Sequence, residues 1–191
     1  MENQLKRYLY SDEEVCWQSQ PKKFSLMDNS TKGPLMLNWC VTSAVTLAFL
    51  IYYFAVLCNG TFSPVFVALV LCIAGTIMYW PVKKQRNLQG AKYYITNRRA
   101  IMVTRDASYF CIDLADMGNV QEVEDRGGEK CLVLGSGLEK TLRKGIDWRS
   151  PKCKLAAHTN GVWECTESLM FFRAEDVDGA VRALGSQVSA A

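Results

Sequence analysis

The chain is 191 residues long and 49% hydrophobic with a formal net charge of +3, too even a balance for the concentrated basic face that nucleic-acid binding requires. Its mean hydropathy of -0.02 is that of an ordinary globular domain. That average conceals a split, because residues 35–82 hold no Asp, Glu, Lys, Arg or His and every charge lies outside them.

Residues 1–34 carry Lys6, Arg7, Lys22 and Lys23 and no apolar signal core, so they read as a cytoplasmic lead before an uncleaved anchor. Residues 35–57 then form an apolar run of about 23 positions, which as a helix rises roughly 34 Å and crosses a hydrocarbon core of about 30 Å. Residues 65–82 form a second, shorter run. Between them, Asn59-Gly60 and Ser63-Pro64 are turn formers, and Pro64 suits the first turn of a new helix. The roughly 109 residues that follow are too few to enclose two helices apolar on every side, which predicts a transmembrane hairpin over 35–82. Trp39, Tyr52, Tyr53, Tyr79 and Trp80 lie toward the ends of the spans, as interfacial aromatics do.

Lys22, Lys23 and Lys32 precede the first span and Lys83, Lys84 and Arg86 follow the second. The connecting loop has no basic residue, so a multi-pass protein of the cell membrane with both termini cytoplasmic is expected. Asn38, Thr42, Ser43, Thr46, Gly75 and Thr76 are the small or polar residues expected to let spans pack closely. A proton-coupled transporter or ion pump is disfavoured, since such pathways need ionisable groups inside the spans.

Residues 83–191 switch to short alternating segments. Residues 92–96, 100–104 and 108–112 are β-branched and aromatic runs separated by polar turns, a three-stranded meander. Residues 119–124 and 129–134 flank Asp125-Arg126-Gly127-Gly128 as a further hairpin. A last strand is predicted over 163–173, leading into a helix from Ala174 whose Glu175, Asp176 and Asp178 oppose the helix dipole. Val177, Val181, Leu184 and Val188 share one face of that helix. The fold class is α+β: a membrane hairpin and one cytoplasmic domain.

Three places carry a resemblance to bacterial membrane proteins in which two N-terminal spans precede a pleckstrin-homology-like (PH-like) domain. Residues 8–21 (YLYSDEEVCWQSQP) look like the family's lead, with an acidic pair, an apolar-Trp step and a Pro. Residues 93–101 (YYITNRRAI) are similar to its strand-turn-strand signature, and residues 169–184 look like its closing strand and helix, without the Pro often found there. The resemblance implies a PH-like β-barrel or split sandwich capped by a C-terminal helix, and it implies no enzyme.

In PH domains, basic residues around the first hairpin bind phosphoinositide headgroups, and Lys92, Arg98 and Arg99 stand at the matching place. Cations close to a bilayer each gain about 1 kcal/mol with anionic lipid. Arg98 has the alternative of pairing with a carboxylate such as Asp113. A second candidate is the basic stretch holding Lys140, Arg143, Lys144, Arg149, Lys152 and Lys154, with Leu138, Leu142 and Ile146 at four-residue steps. That spacing suits a short amphipathic turn on the inner leaflet; a long insertion between strands explains it equally simply.

Catalytic chemistry finds little footing. His158 is the single histidine, and Cys153, His158 and Cys165 lack a fourth zinc ligand and pairwise spacing. The eight cysteines are scattered without a Cys-x-x-Cys pair, so they read as small buried thiols in a reducing compartment. Gly127-Gly128 and Gly135-Ser136-Gly137 are hairpin glycines and form no phosphate loop. No metal or cofactor is expected. The leading expectation is a membrane-anchored, non-enzymatic binding module whose domain contacts a protein partner or the inner-leaflet surface. The alternative is a structural subunit that docks through its hairpin, and an enzyme ranks behind both.

Overall fold

The structure is a computed structural model that describes residues 9–29, 31–57, 63–115, 117–135, 158–159, 162–163 and 168–188. The chain divides into two compact units, one made of Met1–Phe24 with Arg86–Ala191 and the other of Ser25–Gln85. In chain order the second unit is thus an insertion in the first.

The inserted unit is helical. Helix α1 (Lys32–Tyr52) runs into a π-helical turn at Tyr53–Leu57, and α2 spans Pro64–Gln89. Pro64 opens α2 because the N–H it lacks is one that a helix start leaves unbonded. Both helices are long and apolar enough to cross a membrane, and 6% of each apolar window is buried. Thr42, Thr46 and Thr76 donate their hydroxyls to the carbonyls of Asn38, Thr42 and Cys72 at 2.7, 2.7 and 2.8 Å. These hydroxyls therefore present no unbonded donor to an apolar solvent. Trp39 Nε1 donates to the Met78 carbonyl at 3.2 Å and ties the two helices together. Beyond them Tyr53 stacks on Phe66 with centroids 4.5 Å apart. Gly75 faces open space, and Ser43 and Thr76 are exposed, so these three lie outside the hairpin's own seam.

The other unit is rich in sheet. Strands β1 (Val15–Ser19), β2 (Lys92–Thr96), β3 (Arg99–Val103) and β4 (Tyr109–Asp113) form one antiparallel sheet in that order. Strands β5 (Val120–Glu124) and β6 (Lys130–Gly135) form a second sheet with β9 (Ser168–Phe171), while β7 (His158–Thr159) and β8 (Val162–Trp163) make a short ribbon. The architecture is mixed α+β, and among the described residues the sheets do not close into a barrel. Strand alternation decides which residues make the core. On one face of the first sheet, Tyr93 and Trp17 both stack on Phe171, at 4.7 and 5.9 Å between centroids. On the opposite face Tyr94, Ile101 and Cys111 form an apolar cluster with Leu9, Val103 and Tyr109 packed against it.

Helix α3 (Val177–Val188) buries Val177, Ala180 and Leu184. It starts later than the sequence reading placed it, because the Asp176 carboxylate caps the Gly179 N–H at 2.9 Å and the Glu175 N–H is taken by the Gln20 carbonyl. The last long strand is likewise shorter than expected, ending before Arg173, whose φ of 46° is incompatible with a strand.

Candidate functional site

The β2–β3 turn, Thr96-Asn97-Arg98-Arg99, is where the sequence placed a basic lipid-facing pair, and the structure fills it from within the chain. Arg99 opens β3 and its side chain points inward, with 2% of it exposed, opposite a fully buried Glu13. Arg99 donates from Nε to Glu13 Oε1 at 2.9 Å and from Nη2 to Oε2 at 2.8 Å. The same carboxylate accepts the Thr96 hydroxyl at 2.8 Å and the Tyr10 N–H at 3.0 Å. Burial pushes the Glu13 carboxyl up, but the Arg99 hydrogen bonds, the Tyr10 N–H, the Thr96 hydroxyl and the Arg99 charge outweigh it and hold it below the ordinary range. Burial alone would lower the Arg99 guanidinium, and Glu13 holds it above its usual value.

Around this pair the lead grips the turn at every residue. Arg98 forms an ion pair with Asp12, not with Asp113. Asn97 Nδ2 donates to the Asp12 carbonyl at 3.0 Å, while Asn97 and Glu14 exchange hydrogen bonds at 3.2 Å. The Tyr10 ring lies under both guanidiniums, 5.6 Å from that of Arg98 and 4.8 Å from that of Arg99. Arg99 is thus a structural cation, and Arg98 is half-exposed but already partnered. The acidic run Asp12-Glu13-Glu14 was the available signal, three acids to match a turn containing two arginines.

Lys92, the third residue of that expected cluster, lies apart from the pair. It lines a polar groove of about 350 Å³ with Gln18, Ser19, Gln20, Tyr94, Glu175 and Asp176. Gln20 Nε2 donates to both Glu175 oxygens at 3.3 and 3.4 Å, and the Trp17 indole N–H donates to Asp176 at 3.2 Å. The Trp17 and Gly179 N–H groups hold the Asp176 carboxyl below its usual range. A cation therefore shares the groove with two carboxylates and two carboxamides, which suits a polar partner carrying both signs of charge. The sequence reading noted Lys92 and the two acids separately but had no reason to bring them together.

A second buried pair joins Asp125 to Arg173 at the β5–β6 hairpin, with the Asp125 side chain fully buried. Asp125 Oδ1 also accepts the Gly127 and Glu129 N–H groups at 2.7 and 2.9 Å. Gly128, at φ 78°, completes that turn as only glycine readily does. Cys131 lies beneath, its thiol pushed up to about 12 mainly by burial.

Lys140, Arg143, Lys144, Arg149, Lys152 and Lys154 lie outside the described residues, as do Cys153 and Cys165. Among the described residues no group of three or more His, Cys, Asp or Glu is placed to hold a metal ion. No family model, curated protein or solved structure matches the chain.

Proposed function

We propose that this is a membrane-anchored, non-enzymatic binding module whose sheet-rich unit contacts a protein partner or the inner-leaflet surface. The observation that carries the reading is the order of parts: two exposed helices, free of charge over residues 35–82, inserted in the chain of a folded α+β unit, which that insertion would hold at a bilayer. Two antiparallel sheets followed by one amphipathic helix support a PH-like reading of that unit. Flanking lysines on both sides of the hairpin support cytoplasmic termini. The contact surface differs from the one first expected. Arg98 and Arg99 are engaged by the lead, so recognition falls to Lys92 with its polar groove and to the basic stretch 140–154.

The test uses full-length protein in neutral nanodiscs, floated with anionic or neutral vesicles over a salt series. Salt-sensitive capture by anionic vesicles, lost when Lys140, Arg143 and Lys144 are replaced by Glu, supports surface recognition. Equal behaviour with both vesicles at low salt refutes it and leaves a protein partner. The second reading, a subunit that assembles through its hairpin, is favoured by one observation: Ser43, Gly75 and Thr76 face away from the partner helix, where another span could approach closely. Gly75→Leu would then break up a complex seen by crosslinking in intact membranes.

A further inference from the structure

Strand β1 precedes the hairpin and β2 follows it, yet the two are neighbours in one sheet, with Trp17 opposite Ile95, Gln18 opposite Tyr94 and Ser19 opposite Tyr93. Other described residues of the lead also meet residues beyond the hairpin. Glu13 meets Arg99 in the buried pair, Trp17 stacks on Phe171, and Pro21 forms a bridge with Ala174. Lys22 N–H donates to the Arg173 carbonyl at 2.8 Å, and Phe24 packs edge-on against Phe172 at 5.2 Å. Gln89 Nε2 donates to the Phe24 carbonyl, so the chain leaves this unit and returns to it at adjacent points.

We infer that the lead is a topology lock: the sheet-rich unit folds only in molecules whose two hairpin flanks lie on the same face of the bilayer. The inference rests on the membrane reading of the hairpin. A chain that crossed once would strand β1 on the far side, leave β2 without its ladder partner, and leave Arg99 buried without its carboxylate, a state that low-dielectric surroundings penalise strongly. Charge bias at the flanks chooses which face the termini take. The lock is independent of that choice and fixes that they take it together.

The test is carried out on the full chain in sealed vesicles, with Cys16, S63C or Q121C as the sole reactive thiol; all three positions are exposed. A membrane-impermeant maleimide is added before and after detergent. The measurement is repeated in a variant with Lys22, Lys23, Lys32, Lys83, Lys84 and Arg86 changed to Gln, which removes the flanking charges that direct insertion. Labelling of Cys16 and Q121C should agree in both backgrounds, with S63C on the opposite face, even if the neutralised variant inserts both ways round. Among protease-resistant protein, a fraction labelled before detergent that differs between the Cys16 and the Q121C variants would overturn the lock. Release of the protein by alkaline carbonate would instead overturn the membrane reading, so the two failures are told apart.

Discussion

Replacing Glu13 by Ala should cost the sheet-rich unit about 3–5 kcal/mol, the usual cost of removing one partner from a buried ion pair. The carboxylate receives four hydrogen bonds, two from Arg99, one from the Thr96 hydroxyl and one from the Tyr10 N–H. Its loss takes those bonds and their charge from a guanidinium whose side chain is only 2% exposed. A domain of this size has about 5–15 kcal/mol in total, so the variant should remain folded but open often. Cys111 and Cys131 are buried and report that opening. Their reaction with a thiol reagent, measured on detergent-solubilised protein when closing outpaces reaction, should accelerate by roughly two to four powers of ten. The double replacement Glu13→Leu with Arg99→Met should restore most of the protection, since apolar residues of similar volume can substitute for a buried pair. Acceleration of less than tenfold in Glu13→Ala would refute the reasoning, as would a double variant no better than the single one.

The adjacent Arg98 offers a contrast: its pair with Asp12 is half-exposed, so Arg98→Ala should cost less than about 1 kcal/mol by urea titration. Because Glu13 is held below its ordinary value when folded, its contribution is fully present above the unfolded carboxyl range near pH 4.5 and is lost as pH falls through the lower folded value; Glu13→Gln should flatten that acid limb of the stability curve. At pH 8 Cys131 should resist alkylation in the native state while exposed Cys16 reacts, which mass spectrometry of the labelled protein reads directly. Gly127→Ala places a Cβ 2.5 Å from Arg173 Nη2 and should displace that guanidinium from Asp125, costing about 1–3 kcal/mol in the same titration.

The strands that follow the hairpin were legible because their polar–apolar alternation is local: β2 was predicted at its observed bounds and β3 to β6 within a residue at each end. Strand β1 was not, since Val15-Cys16-Trp17-Gln18-Ser19 is mostly exposed and its partner lies beyond the hairpin. Local pattern carries no information about a pairing across so long an insertion. The two arginines show the same limit. Arg98 and Arg99 are identical in type and adjacent in sequence, and only the register of β3 turns one to solvent and the other to a buried carboxylate. Lys92 was found as a cation, but its groove is assembled from β1, β2 and the start of α3, which no single stretch of sequence reveals.

The attachment of the hairpin to β1 and β2 also has a mechanical meaning. The spans join the strand pair at one end, where Ser19 lies opposite Tyr93, while the Glu13–Arg99 pair lies beyond the other end, past Val15 and Thr96. Force that draws the two helices apart therefore peels the ladder open one hydrogen bond at a time and never loads all its bonds in shear together; in the proposed bilayer setting, lateral tension would supply such a force. Once the contacts of residues 20–24 have given way, the ladder is a zipper with a weak starting end, and the buried ion pair is its stop.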